Sequence, residues 1–154
     1  MATKGEALAE LQQAYDEFRS KIAGLPPAAW DDVWLGSWAL PQLLAHMAGW
    51  WNEMLPAFDR VTRGERPLPE GVDYSDPDSF NARFADRAPT GNEALARWDE
   101  AFRAYQEAAG GLADALFGEN DQGRPKIGNR LLQGAGSDHF AEHQEDLDSW
   151  VASR

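Results

Sequence analysis

Apolar residues in this chain recur every three or four positions, and no alternating apolar–polar pattern survives for more than a few residues. That spacing matches the turn of an α-helix (about 3.6 residues) and not the two-residue pleat of a strand. An all-α fold is therefore expected. Four long segments carry the pattern. The first spans 4–23, with Leu8, Leu11, Tyr15, Phe18 and Ile22 on one face, and Gly24 with Pro26-Pro27 stops it. The second spans 38–62, with Ser37 as N-cap and Pro41 in the first turn, where a missing N–H costs least. Pro56 lies inside it and is expected to kink the helix or end it early. Thr90 and Glu93 read as a capping box opening a third helix to residue 109, broken by Gly110-Gly111. The fourth spans 130–152 and carries Leu131, Leu132, His139, Phe140, His143, Leu147 and Trp150.

Between these lie "RGERPLPEGVDYSDPDS" and "GENDQGRPKIGN", both loops by their Pro, Gly and Asp content, a short helix in "DPDSFNARFADRA", and a turn or two in "LADALF". Four long helices imply a four-helix bundle, here a single domain over 1–154, and the long loops allow a crossover connection. Long ordered loops also tend to cover sites.

The chain has no cysteine, which excludes disulfides, thiolate metal sites and a protein-borne sulfur nucleophile; any thiol chemistry would use an imported thiol. The charged start lacks an apolar export core, and no apolar run nears the roughly 20 residues that span a bilayer, so a cytoplasmic protein with no membrane partner is expected. A formal charge of −12 sets the surface against a polyanion, so no nucleic-acid partner is expected. Five of the seven tryptophans fall between Trp30 and Trp51, around the first histidine.

Only three histidines are present, and each falls on a helical apolar face: His46 in the second helix, His139 and His143 in the last. Residues four apart on a helix stack on one face, so two imidazoles there can each point a nitrogen at one cation. A third from a facing helix completes a three-histidine set that suits zinc, nickel, iron or copper. The competing reading is three hydrogen-bonded core histidines in an inert bundle.

These residues carry a resemblance. "SWALPQLLAHMAGWWNEML" resembles the second-helix signature of the DinB-like superfamily, roughly W-S-x-x-[DE]-L-x-x-H-x-x-x-W, and "DHFAEHQEDLDSWV" resembles its final-helix signature, H-Y-x-E-H-x-x-x-[IL]-x-x-W. The resemblance implies a four-helix bundle whose divalent transition metal (Zn, Ni or Fe) is held by His46, His139 and His143. It also implies a low-molecular-weight thiol, of the mycothiol or bacillithiol type, as cosubstrate for transfer to a small electrophile. Members of the superfamily are often dimers, and the Trp-rich connector "AAWDDVWLGSW" is a candidate homodimer surface.

Other residues cluster by helical phase around this set. Trp50 and Glu53 come one and two turns after His46; Trp50 is a candidate wall for a bound cofactor and Glu53 a candidate general base, against core packing and plain solvation. Asp146 lies seven residues after His139, as a ligand-orienting or catalytic carboxylate. Arg124 and Arg130, with Lys126 between them, form a cationic patch that could receive a carboxylate-bearing substrate or thiol, or simply balance nearby acids. Two alternatives to thiol transfer stand: a metal-dependent hydrolase or resistance protein acting on a reactive small molecule, and a non-catalytic metal-dependent small-molecule binder.

Overall fold

The computed structural model describes residues 2–154. Helix α1 runs Lys4–Ala23, α2 Leu40–Thr62, α3 Pro77–Asp86, α4 Gly91–Gly110, α5 Ile127–Leu132 and α6 Asp138–Ser153. Short 3-10 turns cover Pro27–Asp31 and Asp114–Leu116, and a π-helical turn, Gln133–Ser137, joins α5 to α6. Among the described residues there is no named strand, only two isolated bridges at tight turns. The chain divides into two compact units, one of residues up to Leu25 with Ala109–Arg154, the other Pro26–Ala108.

In the first unit, Thr3 caps α1 by accepting the Glu6 N–H at 3.2 Å. Gly24 closes the helix, its N–H reaching the Ser20 carbonyl at 3.2 Å, and the prolines beyond it cannot extend the helix. The buried face of α1 is Ala7, Leu11, Phe18 and Ile22; Leu8 and Tyr15 are half-buried at its edge. Phe18 meets Phe140 of α6 edge-on, centroids 5.8 Å apart, and Lys21 pairs with Asp148 at 2.6 Å. Asn129 is a buried polar side chain with both ends satisfied: Oδ1 accepts the Gly118 N–H at 2.7 Å, and Nδ2 donates to the Ala2 carbonyl at 2.8 Å. One amide thus ties the turn before α5 to the residues before α1.

In the second unit, Trp51 is fully buried against Trp98, Phe102 and Tyr105 of α4, with ring centroids 5.7, 5.4 and 6.2 Å away. The opposite side of α2 receives α3. There Phe84 lies directly on Gly49, where a built Cβ would stand 2.3 Å from the ring. Gly49→Ala is therefore expected to push Phe84 off its rotamer and cost about 1–3 kcal/mol, read as a fall in the midpoint of chemical denaturation; a neutral outcome would show that the α2–α3 contact yields freely.

Three local expectations are corrected. Helix α2 begins at Leu40, not 38, and Ser37 does not cap it. Residues Leu35–Trp38 close a tight turn instead, the Trp38 N–H donating to the Leu35 carbonyl at 2.9 Å with Gly36 at φ +61. The cap comes from within the helix, Gln42 Oε1 accepting the Ala39 N–H at 2.9 Å. Pro56 does not end α2, which continues to Thr62 with the proline on its exposed side. The last segment is not one helix from 130, since α5 starts at Ile127 and the π turn intervenes before α6. Hydrophobic spacing cannot show such a turn, because Gly134, Ala135 and Gly136 carry almost no pattern.

Candidate metal centre

His46 sits in the first half of α2, 2 % exposed, and its Nδ1 lies 3.1 Å from the Leu43 carbonyl. A carbonyl only accepts, so Nδ1 is the donor in this bond. Trp38 packs on this imidazole with centroids 4.8 Å apart. His139 and His143 come after the π turn, on successive turns of α6, both buried, with centroids 4.6 Å apart. A π turn inserts a residue and so rotates the helix beyond it, and such turns concentrate at functional sites. His143 Nδ1 lies 3.2 Å from Asp146 Oδ2, the donating N–H on the imidazole and the carboxylate accepting. Burial pushes the His143 pKa below the ordinary histidine value, while the bond to Asp146 and the charges of Glu142 and Asp146 pull it partly back. The net result is a neutral imidazole near pH 7.

His46, His139 and His143 are all buried, and each offers one ring nitrogen, these nitrogens lying within 4.8 Å of one another. The donor set fits a divalent transition metal: three imidazoles, with one nitrogen of His46 and one of His143 already engaged. Asp146 is a positioning residue for His143 in this arrangement. Asp146→Asn is expected to weaken metal binding about 10–100-fold with helix content unchanged, as read by competition against a chromogenic chelator. An unchanged affinity would mean that the carboxylate orients nothing.

The other residues singled out from the sequence meet partners of their own. Trp50 is held by α3, its Nε1–H donating to Asn81 Oδ1 at 2.6 Å and its ring against Phe80 and Phe84. Glu53 accepts the Tyr74 hydroxyl at 2.9 Å, from the loop after α2. Desolvation and that bond push the Tyr74 pKa up to about 12. Trp38 is an aromatic ring that reaches His46; sequence reasoning began the second helix at this residue and gave it no role, whereas it stands in the turn before the helix. Arg124 and Arg130 do come together, lining one groove with Lys126.

No family model matches the sequence, and no curated protein matches it either. Solved structures do. A Streptococcus pneumoniae protein superposes with a TM-score of 0.79 at 13 % identity, over 99 % of this chain and 92 % of its own. The colibactin self-resistance protein ClbS, solved in complex with a dsDNA, gives 0.76 at 13 % identity, over 97 % and 95 %. The mycothiol-dependent maleylpyruvate isomerase gives 0.69 at 18 % identity, covering 96 % of this chain but 63 % of that one.

The ClbS complex overturns the expectation that no nucleic acid can be a partner. Net charge is a sum over the whole surface, whereas contact is made by a local patch, and charges farther off than about 8 Å are screened at physiological salt. A total of −12 therefore excludes nothing by itself. Among the described residues no helix is long and apolar enough to cross a membrane. In fold, this chain is all-α and similar to these solved structures.

Proposed function

We propose that His46, His139 and His143 hold one divalent transition metal, and that the protein uses it to transfer a low-molecular-weight thiol of the mycothiol or bacillithiol type to a small electrophile. The observation that carries the metal reading is the nearness of three buried imidazoles, each offering a nitrogen within 4.8 Å of the others. A cation held by three uncharged ligands keeps its full charge and acidifies a thiol or water brought to it. The chain's own residues supply the rest. Leu43 and Asp146 hold two of the rings by their Nδ1 atoms, and Trp38 shields the His46 imidazole from solvent on one side. The thiol reading is supported by the absence of any cysteine and by likeness in fold to the mycothiol-dependent isomerase.

A second reading, a resistance protein that hydrolyses or sequesters a reactive small molecule, is favoured by likeness in fold to ClbS. Here Glu53 is the candidate base, with Tyr74 holding one of its carboxylate oxygens.

The test is consumption of mycothiol or bacillithiol in the presence of monobromobimane, with protein loaded with zinc, nickel or iron. Thiol transfer above the buffer rate, lost on chelation, is the expected result. Metal bound stoichiometrically with no thiol-dependent rate would sink the transferase reading and leave the hydrolase or binder.

A further inference from the structure

Arg124, Lys126, Arg130 and Asn120 supply the polar side chains of a groove of about 460 Å³ in the first unit. Its other walls are apolar, Leu116, Pro125 and Ile127 among them, and no acidic side chain lines it. That is unexpected in a chain with 26 acidic residues against 14 basic ones. Among the described residues, none of the three cations makes an ion pair. Lys126 is held in place by donating to the Ala115 carbonyl at 3.2 Å. Asn120 has its oxygen already taken by the Gln122 and Arg124 N–H groups, at 2.9 and 3.0 Å, so only its NH₂ remains to offer. Every polar side chain facing the groove therefore presents hydrogens.

The frame is stiff. The Asn120 N–H donates to the Arg124 carbonyl at 2.8 Å, and Asn129 pins Gly118. A Cβ on Gly128 would stand 2.8 Å from the Leu116 carbonyl oxygen, so α5 and the preceding turn meet backbone to backbone. Unpaired like charges on a preformed wall repel one another unless an anion joins them, and guanidinium groups bind oxyanions with charge-assisted, often bidentate, hydrogen bonds. The volume falls within the roughly 300–1,000 Å³ of small-ligand pockets.

We propose that this groove binds a small oxyanion, a carboxylate or phosphate monoester, carried on a short apolar body. No histidine lines the groove, and the proposal does not rest on the metal reading. An extended polyanion fits it less well, because Glu119 and Asp121 stand exposed in the same turn and would face its further phosphates.

The experiment titrates the full chain with sodium phosphate, butyrate and a short DNA duplex, each at constant ionic strength set by chloride. Binding is followed by calorimetry and by backbone amide shifts. Saturable binding of phosphate or butyrate is expected, with shifts at 115–130, and the preferred ion identifies the class. The double variant Arg124→Ala/Arg130→Ala should bind at least about tenfold more weakly, and Arg130→Lys should lose less. Both arginines are exposed, so folding is not at stake. Metal content, measured alongside, reports on the histidines alone. The proposal is overturned if neither small anion saturates, if the double variant binds like the wild type, or if only the duplex binds.

Discussion

Purified His143→Ala protein is expected to lose stoichiometric metal, with affinity falling by more than the roughly 10–100-fold that removal of an orienting partner costs. The residue is buried, adjoins His139 on one helical face and has its remote nitrogen held by Asp146, so the substitution removes a candidate ligand together with its orienting bond. His46→Ala should do the same from α2. Elemental analysis of both variants beside the wild type gives the answer directly. A wild-type protein that stays metal-free after zinc, nickel and iron are each offered would reduce the three histidines to core residues. The same ring predicts an acid limb. Burial lowers the His143 pKa in the folded protein, whereas the unfolded chain takes up that proton near 6.5. Below this pH the unfolded state binds more protons, so stability present above it is lost as the pH falls. Denaturation of the metal-free protein between pH 7 and 5 should show this loss, and the His143→Ala variant should show a shallower slope.

The second large effect lies in the aromatic core. Trp51→Ala should cost about 3–5 kcal/mol, because the indole is fully buried against Trp98, Phe102 and Tyr105 and its removal opens a cavity. For a chain of this size that corresponds to a fall in Tm of about 10–15 °C. Trp51→Phe should keep most of the stability, since edge and stacked ring contacts survive. A loss under about 1 kcal/mol for the alanine variant would mean that the aromatic cluster collapses around the gap and contributes little.

The helices were legible because each must bury a stripe, and burial writes itself into the spacing of Leu11, Phe18 and Ile22, or of Leu43, Met47 and Trp51. The metal-ligand candidates were legible for a related reason. Three histidines in 154 residues, all at apolar phase, conflict with a purely hydrophobic core unless something satisfies them. The start of α2 was misread because a serine before a helix resembles a cap, whereas the Gly36 turn places that cap instead at Ala39 and Gln42.

From its own order of residues, then, the chain determined that it would be helical, where most of the long helices run, and which three imidazoles point inward, since these depend on local period and on the cost of exposing apolar surface. Only the tertiary structure decided which partners those side chains meet. It gave Trp50 to Asn81 and the α3 rings, Glu53 to Tyr74, Trp38 to His46 and Asp146 to His143. It also inserted the π turn that sets the phase of His139 and His143, and gathered Arg124, Lys126 and Arg130 around one groove. Helical phase says which side of its own helix a residue faces. The neighbour that stands there is settled by how loops return and how bulky rings pack, which no periodicity records.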